Sequence, residues 1–210
     1  MSKITSKSNL AVALSKLKGF EKPKVREEQY TTDSEIAADM FWLMHMRGEL
    51  DDKTVADLGS GTGILGLGAL LMGAKKVFLV DKDGEAMAVA KQNHNDLISQ
   101  GFELGEAVFV LSDINDFNEK VDVVVENPPF GTKEAHADKA FLEKAFSLAD
   151  TVYSFHKTST ESFVSAVSED NGFKVAEKIN FSFPLKAVHD FHRRQIHRIE
   201  VTLFRLEKKK

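Results

Sequence analysis

Thr54-Val55-Ala56-Asp57-Leu58-Gly59-Ser60-Gly61-Thr62-Gly63-Ile64 is the stretch whose reading decides the fold. The first five residues, apolar but for Thr54 and the acid Asp57, read as a short strand. The run G-x-G-x-G follows, and Ile64 to Met72 is then apolar at helical spacing. Glycines allow a sharp turn and close approach of a ligand, and a helix N-terminus offers unpaired N–H groups. Outward from this stretch, short apolar runs alternate with helices. Lys76–Val80 reads as a second strand, ended by Asp81, and Glu85–Ile98 as a helix. Ala107–Leu111 and Val121–Val125 read as strands three and four, Asp138–Ala149 as a helix and Thr151–Phe155 as strand five. A helix over Thr160–Glu169 precedes two long strands near Phe173–Phe181 and Ile196–Leu206. Repeated β/α units imply a parallel sheet covered on both faces, and the final pair reads as an antiparallel hairpin at an edge.

Upstream, Asn9–Lys18 has a helical pattern, and Glu21-Lys22-Pro23-Lys24 breaks it. Thr32 or Asp33 is placed to cap a helix carrying Ile36, Ala37, Met40, Phe41, Leu43 and Met44. Residues 1–50 thus form a helical extension before a catalytic-type domain over 51–210. At 210 residues, against about 150 per domain, the chain fits one main core.

Composition removes several functions. There is no cysteine, which excludes a disulfide framework, a zinc-thiolate site and a cysteine nucleophile. No His/Asp/Glu group has metal-ligand spacing, so no metal is expected. No apolar run approaches the roughly 18 residues of a membrane span, and the lysine-bearing N-terminus lacks a signal-peptide core. A soluble, cytoplasmic protein is the expectation. The net charge of −4 is unevenly spread. Residues 1–28 carry seven Lys/Arg against three Glu, and 186–210 carry eight Lys/Arg against three acids, so the middle is strongly acidic. Basic ends on an acidic body suit a nucleic-acid binder if the fold brings them to one face. They are equally what solvated charge runs look like.

The glycine run does not match dinucleotide spacing, because Asp57 precedes it. A pyrophosphate would be repelled by that carboxylate, whereas a cationic amino acid moiety would be attracted. Asp57, Gly59, Gly61 and Gly63 therefore point to S-adenosyl-L-methionine, with Asp81 at the end of the second strand placed for ribose hydroxyls. Asn127-Pro128-Pro129-Phe130 follows strand four and holds two of the four prolines. An exocyclic amine conjugated to a ring is a poor nucleophile. The Asn127 side-chain oxygen and the Pro128 carbonyl would accept its two hydrogens, Pro129 would stiffen the turn, and Phe130 would stack on the base for ~1–3 kcal/mol. Catalysis would then rest on positioning for in-line attack on the sulfonium methyl. The same motif suits protein glutamine-N5 methyltransferases acting on release factors, and DNA adenine methyltransferases. A binding subunit without activity is the non-enzymatic alternative.

Several segments together resemble the methyltransferase-like protein 5 family, rRNA adenine-N6 methyltransferases. They are Phe20-Glu21-Lys22-Pro23-Lys24, Glu28-Gln29-Tyr30-x-Thr32, Asp57-Leu58-Gly59, Asn127 to Lys133, Tyr153-Ser154-x-His156-Lys157 and Phe191-His192-Arg193-Arg194 with Ile199-Glu200-Val201. The resemblance covers about residues 8–206. It implies a class I, Rossmann-like methyltransferase of α/β fold, with a seven-stranded mostly parallel sheet and an antiparallel last strand. It further implies N6-methyladenosine as product in small-subunit ribosomal RNA. Motif matching assigns Gln29, Thr32, Gly59, Thr62, Ile64, Asp81, Asp113 and Ile114 to the cofactor site. Thr62 stands where the eukaryotic motif has cysteine, and with the cysteine-free composition this points to an archaeal-type member. Lys133, His156, Lys157, His192, Arg193 and Arg194 are the expected RNA contacts. In this family a small zinc-binding activator protein pairs with the edge formed by strand three, which is the expected partner.

Overall fold

In the computed structural model, residues 3–20, 31–129, 137–185 and 197–209 are described. Seven strands form one sheet: β1 (Thr54–Leu58), β2 (Lys76–Asp81), β3 (Glu106–Leu111), β4 (Val123–Glu126), β5 (Thr151–Lys157), β6 (Phe173–Leu185) and β7 (His197–Lys208). Their spatial order is β3-β2-β1-β4-β5-β7-β6. The first five run parallel. β7 inserts antiparallel between β5 and β6. The expected terminal hairpin is present, with its second strand on the inside. Among the described residues six α-helices accompany the sheet: α1 (Lys7–Ser15), α2 (Ser34–Met46), α3 (Ile64–Leu71), α4 (Gly84–Ser99), α5 (Ala137–Leu148) and α6 (Glu161–Asp170).

Chain order explains where a ligand goes. From β1 the chain steps outward to β2 and β3, then returns to β4 on the other side of β1. The carboxyl ends of β1 and β4 therefore flank a crevice, the switch point where open α/β sheets bind ligands.

Strand alternation supplies two cores. On one face Val55, Val77, Leu79 and Val125 pack with Leu10 and Leu14 of α1, Phe41 and Met44 of α2, and Leu67 and Leu70 of α3. On the other, Ala56, Leu58, Val124 and Val152 pack with Leu142 and Phe146 of α5 and Val164 and Val167 of α6. The N-terminal helices belong to the first core and do not stand apart from it. α3 is buried from Ile64 through Leu70 because α2 covers the side turned from the sheet.

The element boundaries move for local reasons. α1 starts two residues earlier than its periodicity suggests, because the Ser6 side chain accepts from the Asn9 N–H. Asp33, one of two candidates, caps α2 through the N–H groups of Glu35 and Ile36. β4 begins at Val123, not Val121. The Asp122 carboxylate there accepts the Thr54 N–H at 2.8 Å. Among the described residues no helix is long and apolar enough to cross a membrane.

Candidate active site

The glycine loop leaves β1 with its shape fixed from three sides. Ser60 N–H donates to the Val80 carbonyl at 3.0 Å, and Gly63 N–H to the Ser60 carbonyl at 2.8 Å. Gly61 N–H donates to Asp81 Oδ2 at 2.7 Å. Gly61 has φ of +52°, and a Cβ there would stand 2.8 Å from Phe20 Cζ, so both the turn and the neighbouring ring require glycine. Gly63, with φ of +88°, opens α3 without a side-chain cap. Ile64 and Leu65 of the first turn of α3 line the cleft.

Asp57 points under this loop and is 1% exposed. Its Oδ2 accepts the Gly66 N–H at 2.6 Å. Burial pushes the carboxyl up to about 7, the Asp81 charge adds to the rise, and the Gly66 bond opposes it. Asp81 links two segments, taking the Gly61 N–H on Oδ2 and the Asp83 N–H on Oδ1 at 2.8 Å.

At the end of β4, Asn127 Nδ2 donates to Thr32 Oγ1 at 2.9 Å. That bond joins two expected site residues 95 positions apart. Asn127 Oδ1 is buried and has no partner among the described residues. Because a buried acceptor left unpaired costs about 1–3 kcal/mol, its presence marks a place where a ligand donor belongs.

A single cleft brings Thr32, Asp57, Gly59, Gly61, Thr62, Ile64 and Asn127 together. Gly63 and Asp81 support it from the loop and from β2. Pro128 is buried and Pro129 half-buried directly after Asn127. Asp113 and Ile114 follow β3 on the same edge of the sheet. The Asp113 side chain accepts the N–H of Asn115 and its Nδ2, and neither residue lines the cleft. Gln29, Phe130, Lys133, His192, Arg193 and Arg194 lie outside the described residues.

His156 corrects an expectation. The resemblance places it on the RNA surface, but it is 1% exposed, on the face of β5 that α5 and α6 cover. Its Nε2 lies 2.8 Å from Ser154 Oγ. Burial depresses its pKa to about 3, so the ring is neutral and turned away from any polyanion. Lys157 ends the strand half-buried, beside the crevice edge.

Three residues not assigned to the site from sequence help to build it. Ser60 lines the cleft inside the glycine run, and its buried Oγ has no partner among the described residues. Phe20 seats its ring against Gly61 and lines the same cleft. Asn93 of α4 holds both elements together. It accepts the Lys18 N–H at 2.8 Å and donates to the carbonyls of Lys18 (3.0 Å) and Thr62 (2.9 Å). An asparagine on the inner face of an otherwise apolar helix stripe was the available signal.

The residues fit the cofactor they imply. A glycine cradle that a Cβ would fill, two unpaired buried oxygens and two acids at the ends of β1 and β2 suit a nucleoside with a cationic tail. Fold and site together define a class I S-adenosylmethionine-dependent methyltransferase. The methyltransferase small domain family model matches residues 34–152. A zebrafish relative, the rRNA N(6)-adenosine-methyltransferase METTL5, is 34% identical over 93% of this chain and 96% of its own. An uncharacterised protein of Methanocaldococcus jannaschii is 34% identical over 96% of this chain and 94% of its own. A solved Pyrococcus horikoshii structure, assigned as an RNA methyltransferase, is 40% identical with a TM-score of 0.88, covering 99% of this chain and all of that one. The chain belongs to the METTL5 family of methyltransferases.

Proposed function

We propose that this enzyme methylates the N6 amine of an adenosine in small-subunit ribosomal RNA. S-adenosylmethionine, when bound, supplies a methyl group on a sulfonium, an electrophile that needs no further activation. Asn127 Oδ1 and the Pro128 carbonyl accept the two amine hydrogens and draw the nitrogen lone pair out of conjugation with the ring. Pro129 stiffens the turn, and Phe130 stacks on the base. No strong base is needed to start the reaction, because the chain's contribution is orientation and electrostatic fit. The observation that carries this reading is Asn127 Oδ1, a buried acceptor in the cleft with its amide fixed by Thr32.

The same reading assigns Gln29, Asp113 and Ile114 to the cofactor. It assigns Lys133, Lys157, His192, Arg193 and Arg194 to RNA phosphates. Removing one phosphate-binding side chain should reduce the log–log salt slope by about 0.7–0.9. β3 pairs only with β2 among the described residues, and Leu111 at its end is 62% exposed. Such an edge suits strand addition by a small zinc-binding activator protein. A ribosomal RNA substrate suits a cytoplasmic enzyme.

Labelled-methyl transfer tests the acceptor, with rRNA, DNA and a release factor compared. Asn127→Ala should abolish transfer with cofactor affinity nearly intact. Retention of more than about a tenth of the rate, a loss under ~1.4 kcal/mol, would overturn the assignment.

A further inference from the structure

Glu126 ends β4 one residue before Asn127 and is fully buried. Opposite it in the ladder is Ser154 of β5, and His156 lies two residues further along the same face. Both are buried. Ser154 Oγ donates to Glu126 Oε1 at 2.7 Å and lies 2.8 Å from His156 Nε2. A hydroxyl has one hydrogen, so with Glu126 ionised Ser154 donates to the carboxylate and His156 donates from Nε2 to Ser154. In that form the hydrogen bonds run from His156 through Ser154 to Glu126. The row continues across the sheet. Thr202 of β7 is in register with His156 and with Asn180 of β6. Its hydroxyl bridges Thr158 Oγ1 at 2.9 Å and Asn180 Oδ1 at 2.8 Å.

These groups are costly by themselves. Glu126 Oε2 has no partner among the described residues. Burial raises the carboxyl to about 8, the Ser154 bond opposes that, and the charge of Asp57 on β1 adds to it. An apolar side chain would pack this position more cheaply. What the chain provides is a cross-strand tie at the last paired residue of β4, where the ladder stops and Asn127 begins.

We propose that Glu126, Ser154 and His156 are positioning residues. They lock the end of β4 to β5, so that Asn127 leaves the strand with Oδ1 held in the cleft. This rests on the proposed role of Asn127. None of the three touches the cleft, so they act through the backbone of Asn127 and Pro128.

The test uses the full chain with an rRNA transcript. It measures kcat, RNA KM, cofactor affinity by calorimetry and thermal melting. Ser154→Ala and Glu126→Leu should each lower kcat at least about tenfold, with cofactor affinity and RNA KM within about twofold and folding kept at the assay temperature. Glu126→Gln keeps the acceptor oxygen and cannot ionise. It should restore most of the kcat that Glu126→Leu loses. The proposal is overturned if Ser154→Ala and Glu126→Leu keep the parent kcat. It is also overturned if they lose kcat and cofactor affinity in parallel, or if Glu126→Gln loses kcat as Glu126→Leu does. An active Asn127→Ala would instead overturn the assignment of Asn127 on which the proposal rests, whereas an inactive Asn127→Ala beside an unaffected Ser154→Ala would overturn the positioning role alone.

Discussion

Cofactor affinity should depend on pH through Asp57. The carboxyl is buried, accepts the Gly66 backbone N–H, and is pushed up to about 7 by desolvation and by Asp81. Near neutral pH it is therefore about half protonated. A cationic ligand in the cleft that Asp57 lines favours the ionised form, returning its pKa towards the ordinary carboxylate range. Binding must then release the proton. The cost of that release multiplies the dissociation constant by 1 + 10^(7 − pH), which is about elevenfold at pH 6 and about twofold at pH 7. Affinity should accordingly tighten about fivefold, ~1 kcal/mol, as pH rises from about 6 to 7. About half a proton should leave per cofactor bound at neutral pH. Titration calorimetry in two buffers of different ionisation enthalpy measures both quantities. Asp57→Asn keeps an acceptor for Gly66 but cannot titrate, so it should bind more weakly and with no dependence on pH or buffer. A flat affinity between pH 6 and 7 with no buffer-dependent heat would refute the reasoning, as would an unchanged pH dependence in Asp57→Asn.

Stability should follow the same carboxyls. Asp57 and Glu126 both have raised pKa values in the folded state, about 7 and about 8, so stability falls as pH rises from the ordinary carboxylate range to those values. Each should cost up to ~1.4 kcal/mol per pH unit across that interval, and Glu126→Gln should raise the melting temperature at pH 8. If the variant melts like the parent at pH 8, the burial argument fails. Gly68→Ala in α3 should lower the melting point by the equivalent of about 1–3 kcal/mol. Its Cβ would stand 2.4 Å from Phe41 Cε2, although alanine normally favours a helix interior, and an unchanged or higher melting point would contradict that packing. Asp81→Ala removes the acceptor of both Gly61 and Asp83, and calorimetry should show cofactor affinity falling about tenfold or more. Asn93→Leu breaks the three hydrogen bonds by which α4 holds Lys18 of the N-terminal arm and Thr62 of the glycine loop. It should weaken the cofactor several-fold, which unaltered binding would disprove.

Much of the fold was legible because its signals are local. β1 falls on the expected residues, Thr54–Leu58, since a strand, a glycine run and a helix start are each written within a few positions. Asn127 at the end of β4 was legible for the same reason, with two prolines ending the strand. The connection from Asn127 to Thr32 was not, because only the packing of α2 beside α3 brings residues 95 positions apart within a hydrogen bond. Phe20 against Gly61 and Asn93 between Lys18 and Thr62 depend on the same docking of the N-terminal helices.

His156 shows the division most plainly. Alternation along β5 places Val152, Ser154 and His156 on one face, and that much follows from the period of a strand. Whether the face meets water or other side chains depends on what lies over it. β7 pairs with β5 on one side and contributes Thr202 and Phe204, and α5 and α6 close the layer from above. The sequence by itself determined the parallel βα units, the glycine loop and the Asn-Pro-Pro turn, because each is a pattern of neighbouring residues. Only the tertiary structure decided which oxygens stay unpaired in the cleft and which acid and imidazole are sealed behind it, because burial is a property of elements that meet from distant parts of the chain.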